Sequence, residues 1–311
     1  MNSNIVSDRP ALSSLLRIFL LIVILGWYVV GQGIGVVVAS LIYDGDFIHD
    51  LQEVADHPTL RNAMLLAQAV GATIGLIFIP IFYLKSTEHR SLKGFFKEEN
   101  QWPLLVFLIL LAVFSLSPAI SPLTEWNATL QFPEWMSGFG NWVKEMEAMA
   151  EAVIKTMTAN LSSLDFFFSV IVIGILPALG EELVFRGLIQ TELIRAMKNP
   201  HVAIWIASIL FSAIHLQFMG FVPRLLMGAF LGYLYFWSGN LWISIIAHFF
   251  NNALQVTGLY LYQKGIITID IESTDHAPWP WVAAAVILLL LSLFYLKNYF
   301  ELHSNPSRDH A

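Results

Sequence analysis

The sequence predicts an all-α protein, a polytopic membrane helix bundle of about eight transmembrane helices. Of its 311 residues, 57% are hydrophobic and only 13% are charged, whereas about 25% of residues are charged in a soluble domain. Long apolar runs recur along the chain, and a helix needs about 20 such residues to cross the hydrocarbon layer of a bilayer. We expect one integral-membrane domain, residues 1–311, since the sequence contains no internal repeat or low-complexity segment.

The apolar runs give the predicted spans in order. The first is longer than the apolar region of a signal peptide, so we interpret it as a retained transmembrane helix. The third and sixth are short. The spans are residues 15–43, 63–84, 103–117, 166–186, 202–218, 222–237, 241–262 and 281–300.

The orientation follows from the basic residues, which are enriched in cytoplasmic loops. With a cytoplasmic N-terminus, 11 of the 16 Lys and Arg residues, among them Arg186, fall on the cytoplasmic side, and the others, including Arg224, fall on the far side. The sequence therefore predicts that both termini are cytoplasmic.

Residues 118–165 form the least membrane-like stretch. Apolar residues recur there at helical spacing after Asn141, a candidate N-cap. Two interpretations stay open: an interfacial helix that covers a cavity, or a loop helix that packs on the bundle. The apolar positions are Trp142, Met146, Met149, Val153 and Met157.

Two adjacent glutamates stand at the end of the fourth apolar run. Ionisable groups at membrane depth are costly and tend to mark function. Glu182 and Arg186 are four residues apart, so they share a helix face and can pair. Glu181 points about 100° away from Glu182, which leaves it free to face another helix. Pro177 and Gly180 are predicted to loosen or kink this helix.

Two histidines end or interrupt later apolar runs. His215 lies four residues after Phe211, and His248 lies four residues before Asn252, so each pair shares a helix face. A single intramembrane histidine is often structural. Two of them together with the unpaired Glu181 indicate a functional site.

The composition narrows the chemistry of that site. The chain has no cysteine, which excludes thiol catalysis and cysteine metal sites. It also lacks an HExxH zinc motif and a GxSxG elbow. The net charge of −7 without a basic tail argues against nucleic acid as a partner.

Two mechanisms stay open at this point. In the first, Glu181 acts as general base toward a water with the help of His215, and His248 and Asn252 donate hydrogen bonds to the oxyanion. In the second, Glu181, His215 and His248 bind one zinc ion, with a fourth position for water. The residues alone do not choose between them.

The motifs Glu-Glu-x-x-x-Arg, Phe-x-x-x-His and His-x-x-x-Asn, in this order on separate apolar segments, resemble the CPBP family. That family comprises the type II CAAX prenyl endopeptidases and bacterial abortive-infection-like proteins. The resemblance covers about a third of the chain, with residues 164–263 as the catalytic core. It implies an intramembrane endopeptidase, often described as a metalloprotease, whose site opens to the cytoplasm.

The resemblance also implies roles for single residues. Glu181 and His215 activate the water, His248 and Asn252 form the oxyanion site, and Glu182 and Arg186 support them. Since Asn252 is a poor zinc ligand and a good hydrogen-bond donor, we favour the metal-free route. The expected location is the plasma (inner) membrane, and the expected partners are the lipid bilayer and a membrane-associated peptide or protein substrate. The sequence does not indicate which substrate it is or the oligomeric state.

Two alternative functions are a non-catalytic immunity or scaffold protein and a proton-coupled transporter. The transporter is considered because buried Glu and His residues also serve proton relays.

The depth of the candidate residues in the membrane presents a difficulty. Glu181 is expected near the cytoplasmic end of its span. His215 lies about 21 Å along a helix from His201, whereas His248 lies only about 10 Å from the start of its helix. Either the helix of His215 begins outside the hydrocarbon, or the connection 187–200 dips inward.

Overall fold

The computed structural model describes residues 14–52, 58–89, 91–158, 161–268 and 273–303. These residues form helices and loops, with no strand among them, which confirms the predicted all-α class.

The helices follow one another along the chain with short connections. Two of them, α3 and α6, continue through π-helical segments. The helices are α1 (Ser14–Ile42), α2 (Phe47–Gln52), α3 (Pro58–Ala72, π-helical Thr73–Phe78 and Ile79–Ser86), α4 (Trp102–Ala128), α5 (Ser137–Thr158), α6 (Ser163–Ser169, π-helical Val170–Ile175, Leu176–Glu182, π-helical Leu183–Gln190 and Thr191–Met197), α7 (Pro200–Ala213), α8 (Phe221–Ser238), α9 (Leu241–Gln263) and α10 (Trp279–His303), with short 3₁₀ turns at Leu92–Phe95 and Glu134–Met136.

Five helical segments of the described residues are long and apolar enough to cross a membrane. Apolar side chains such as Val29 and Leu41 on α1 and Leu290 on α10 are exposed, as lipid-facing residues would be. The count of eight spans and the cytoplasmic termini stay predictions. The five segments are Leu21–Ile42, Leu60–Ser86, Trp102–Ala128, Ser163–Met197 and Trp279–His303.

Three predicted spans have wrong boundaries. The span predicted for 103–117 continues to Ala128 through Pro118 and Pro122. The span predicted to end at residue 186 continues to Met197, where two of the charges beyond it pair with each other: Glu192 accepts a hydrogen bond from Arg195 at 3.0 Å. The span predicted for 202–218 is helical only over Pro200–Ala213.

Helix α5 occupies much of the stretch that looked least membrane-like. It begins at Ser137, so the prediction that Asn141 caps it is wrong. Val143 and Met157 are buried, whereas Trp142 and Met149 are exposed. The helix thus packs on the bundle through one face, and an interfacial position stays a prediction.

Helix α6 lies in the middle of the bundle, against α1, α3, α7 and α9. Helices α1 and α3 approach each other closely at Gly35, where any side chain would collide with the carbonyl of Ala67. The main apolar core surrounds the second half of α6, where the candidate residues lie.

Candidate active site

Helix α6 carries both glutamates in a short α-helical segment between its two π-helical segments. The helix remains continuous through Pro177 and Gly180, so the predicted loosening takes the form of altered hydrogen bonding around this segment. π-helical insertions occur frequently at functional sites. Gly180 allows α3 to approach, since a Cβ atom there would lie 2.5 Å from the Cβ of Leu76.

Glu182 is fully buried and contacts two partners through one oxygen. Its Oε1 accepts hydrogen bonds from Nη1 of Arg186 at 2.7 Å and from Nδ1 of His248 at 2.8 Å. The predicted pairing of Glu182 with Arg186 is therefore present. The bond to His248 links α6 to α9, and sequence spacing gave no indication of it.

The side chain of Arg186 is almost fully buried, with 2% of its surface exposed, and three groups hold it in place. Besides Glu182, its Nη2 donates to the carbonyl of Gly228 on α8 at 2.9 Å. Its guanidinium carbon lies 4.7 Å from the centre of the Phe211 ring. A buried charge is tolerated when it is paired and hydrogen-bonded in this way, so Arg186 supplies a fixed support for Glu182.

Glu181 faces the other nitrogen of the same imidazole. Its Oε2 lies 3.9 Å from Nε2 of His248, and its side chain is 12% exposed, compared with 0% for Glu182. A separation of 3.9 Å is too long for a direct hydrogen bond, but one water molecule can bridge it. Glu181 thus faces α9, in agreement with the expectation that it faces another helix.

His215 lies just past the end of α7, in a turn. Its Nδ1 lies 2.8 Å from the carbonyl oxygen of Phe211. Because a carbonyl only accepts, Nδ1–H is the donor, and Nε2 of the neutral ring is an acceptor. The Phe211 ring centre lies 5.2 Å from that of His215 and 5.9 Å from that of His248, so Phe211 holds both imidazoles in one region.

Asn252 lies one turn beyond His248 on α9. Its Nδ2 donates to the carbonyl of Ile173 at 3.2 Å, and its Oδ1 accepts from Nδ2 of Asn251 at 3.1 Å. Ile173 belongs to the first π-helical segment of α6. One of the two amide N–H groups of Asn252 is thus engaged, and the other is left to bind a ligand.

The length of α6 removes the depth difficulty. It spans 35 residues, about 52 Å, so that Glu181 lies about 24 Å from its end at Met197. Helix α7 runs back about 20 Å from Pro200 to Ala213, which brings His215 to a similar height. The predicted position of Glu181 near the helix end is wrong, since residues 187–197 of the predicted connection continue the helix.

Sequence analysis missed Arg224 as a neighbour of this site. It lies in the first turn of α8 and interacts electrostatically with Glu181 and His215. Counting basic residues assigned Arg224 and Arg186 to opposite sides of the membrane, whereas in the structure both interact electrostatically with Glu181. A lone Arg at the start of an otherwise apolar helix was the available signal.

The hypothesised zinc site needs its three ligands close together. In the part of the chain that the structure describes, no three His, Asp or Glu side chains form a set that could hold a metal ion. Nδ1 of His248 and Nδ1 of His215 are engaged by protein groups. The zinc set Glu181, His215 and His248 stays a hypothesis, and no mechanistic step below depends on it.

Comparison with known proteins agrees with the motifs. Residues 163–254 match the family model described as Type II CAAX prenyl endopeptidase Rce1-like. The resemblance to the CPBP family is thereby confirmed. The matched segment contains Glu181, His215, His248 and Asn252, and it begins at the first residue of α6.

A bacterial relative aligns over a similar length. The chain is 33% identical over 89 residues to the uncharacterized protein YpbD of Bacillus subtilis (strain 168). The alignment covers 27% of this chain and 42% of the relative, so the chain spans less than half of that protein. No solved structure matches the chain.

Proposed function

We propose that the protein is an intramembrane endopeptidase, similar to CAAX proteases, that hydrolyses a peptide bond of a membrane-associated substrate. The observation that carries the proposal is the position of Glu181, whose Oε2 lies 3.9 Å from Nε2 of His248. The family match over residues 163–254 supports the reaction class, and we place the catalytic core in residues 164–263.

Glu181 and His215 activate the water in this proposal. Glu181 is the less buried of the two glutamates, and it is the one whose carboxylate is not engaged by Arg186. Nε2 of His215 offers a lone pair, because Nδ1–H is committed to the carbonyl of Phe211. As the water attacks the scissile carbonyl, Glu181 takes its proton and then passes the proton to the departing amine.

His248 and Asn252 stabilise the oxyanion of the tetrahedral intermediate. Asn252 contributes the N–H that Ile173 does not use, and His248 contributes Nε2–H. Because Nδ1–H already donates to Glu182, the donating ring carries both protons, and the carboxylates on its two sides stabilise that cation. Glu182 and Arg186 fix the ring and do not contact the substrate.

The test is cleavage by purified protein in nanodiscs of a panel of lipid-anchored and transmembrane peptides. Glu181→Ala should lower the rate by about 10²–10⁴, the usual contribution of a general base. Glu98→Ala, which removes an exposed carboxylate from a loop, is the matched control and should cleave like the wild type. Equal cleavage by wild type and Glu181→Ala would contradict the assignment of Glu181 as the catalytic base. It is also the result expected if the protein is a non-catalytic scaffold.

We propose further that the protein resides in the plasma (inner) membrane with its site open to the cytoplasm. The Lys and Arg distribution supports the orientation of the helices, and the resemblance to the CPBP family supports the side on which the site opens. Because the chain has no cysteine, single cysteines report the sidedness of each loop. A membrane-impermeant maleimide should label Lys264→Cys in intact cells and Glu98→Cys only after lysis. The reverse pattern would overturn the orientation.

A further inference from the structure

Arg224 has an unused hydrogen-bond donor beside the proposed active site. Its Nη2 donates to Oε1 of Gln217 at 2.7 Å. Its Nη1 is buried and makes no hydrogen bond to any described residue. Leaving such a donor without an acceptor is unfavourable, and more so for a charged group. The structure therefore contains a guanidinium N–H that lacks an oxygen acceptor.

The position of Arg224 relates this donor to the reaction. The side chain interacts electrostatically with Glu181, His215 and Glu147. Gln217, its hydrogen-bond partner, lies two residues after His215 in the loop between α7 and α8. A group bound at Nη1 of Arg224 would therefore lie at the loop that carries His215, one of the residues proposed to activate the water.

The local backbone holds the guanidinium in place. Gly220 lies beneath it, so that a Cβ atom on Gly220 would be 3.1 Å from Nη2 and 3.5 Å from Nη1 of Arg224. The loop itself is tied to α5, because Met219 N donates to Oε1 of Glu147 at 2.6 Å. The unused donor is thus part of a fixed arrangement.

The charges nearby indicate which acceptor is suitable. Three carboxylates, those of Glu147, Glu181 and Glu182, already offset three cations, those of Arg186, Arg224 and the doubly protonated His248. A ligand carboxylate would add a fourth negative charge in a region of low dielectric, where like charges repel strongly. A neutral acceptor, such as a peptide carbonyl, satisfies the N–H without that repulsion.

We propose that Arg224 is a positioning residue that donates from Nη1 to a main-chain carbonyl oxygen of the bound peptide, next to the scissile bond. This inference rests on the proposed function. A hydrogen bond to a main-chain carbonyl makes substrate recognition independent of the charge of the substrate side chain at that position, since every peptide unit carries the acceptor. It also gives the loop between α7 and α8 a role in orienting the substrate toward Glu181.

The experiment compares KM and kcat of wild type, Arg224→Met, Arg224→Lys and Lys144→Met on a cleaved peptide from the panel. A hydrogen bond to a charged donor contributes about 1.5–3 kcal/mol, so Arg224→Met should raise KM about 10- to 100-fold with kcat nearly unchanged. Arg224→Lys should recover part of the loss. Lys144→Met removes an exposed cation from α5 and should behave like the wild type.

A second variant covers the case in which Arg224→Met fails to fold. Gly220→Ala keeps the guanidinium but displaces it, and only the flexible end of a side chain has to move. Its KM should rise as well. Peptides with a C-terminal carboxylate and with a C-terminal amide should respond equally to both variants, and a thioamide at one carbonyl should abolish the effect of Arg224→Met.

The outcomes separate this inference from the proposed function. Unchanged KM in both variants, a loss confined to kcat, or an effect confined to the carboxylate peptide overturns the role of Arg224 and leaves the endopeptidase intact. If the wild type cleaves no peptide, the proposed function fails. Binding of the same fluorescently labelled peptides to nanodiscs then tests Arg224, and equal binding by wild type and Arg224→Met overturns the inference.

Discussion

Nδ1 of His248 lies 2.8 Å from Oε1 of Glu182, and this hydrogen bond holds α9 against α6 at the proposed site. Glu182 is itself held by Arg186, which reaches α8 through the carbonyl of Gly228. The orientation of His248 on α9 therefore depends on contacts with α6 and α8. Glu181, the adjacent residue, lies near the other nitrogen of the same imidazole, with its Oε2 3.9 Å from Nε2.

The first prediction concerns Glu182→Gln. It leaves the Arg186 guanidinium buried without its counter-ion, which typically costs about 3–5 kcal/mol, and it weakens the support of His248. We expect a lower free energy of unfolding and a lower cleavage rate, measured by denaturant titration and peptide assay in the same detergent. Glu151→Gln is the matched control, because Glu151 and Lys155 also pair four residues apart but are exposed, where such a pair contributes below about 1 kcal/mol. Equal losses in the two variants would contradict the supporting role of Glu182.

The second prediction concerns Gly180→Ala. The added Cβ would lie 2.5 Å from the Cβ of Leu76, an atom attached directly to the α3 backbone, so α3 and α6 have to separate. Overpacking of this kind costs about 1–3 kcal/mol, and it should also displace Glu181 and reduce cleavage. In Gly26→Ala nothing lies within 4 Å of the new atom, so its thermal midpoint should stay the same or rise. A Gly180→Ala protein with wild-type activity and stability would show that the close approach is not needed.

The third prediction concerns metal content. The glutamate-activated route needs no zinc, so active protein should contain far less than one zinc per chain by elemental analysis. Cleavage should also persist in a strong chelator. One zinc per active chain, together with loss of activity on chelation and recovery on adding zinc, would favour the alternative set Glu181, His215 and His248.

The fourth prediction concerns Asn240→Ala. Asn240 caps α9 through Trp242 N at 3.2 Å, and its Nδ2 donates to the carbonyl of Lys97 and to Oε1 of Glu99, both at 3.0 Å. Its Oδ1 also accepts from Lys97 N at 3.3 Å. Loss of the cap alone costs about 1 kcal/mol, and loss of the three further bonds adds about 2–4 kcal/mol.

Asn199→Ala is the matched control for that cap. Asn199 caps α7 through His201 N and Val202 N, and its side chain is exposed. Its loss should therefore lower the free energy of unfolding by about 1 kcal/mol. A similar effect of both substitutions would show that the contacts of Asn240 with the 97–99 loop add no stability.

Much of the site could be predicted from sequence because its signals are local. Glu182 and Arg186 are four residues apart, and that spacing alone places them on one helix face. Hydrophobic runs predicted the helices for the same reason, since each run reflects the surroundings of its own segment. Helix ends were predicted less well. The span predicted to end at Arg186 is an example, since Glu192 and Arg195 pair with each other and α6 continues to Met197.

By itself, the sequence determined that this is an all-α chain with apolar spans, and that Glu181, Glu182, Arg186, His215, His248 and Asn252 are its candidate residues. Only the tertiary structure decided that one imidazole lies between two glutamates, and that Arg224 interacts electrostatically with Glu181 and has an unused donor. The physical reason is distance along the chain. Helical periodicity fixes which residues share a face within a helix, whereas the contacts between α6, α8 and α9 depend on packing and helix length across segments that no local pattern encodes.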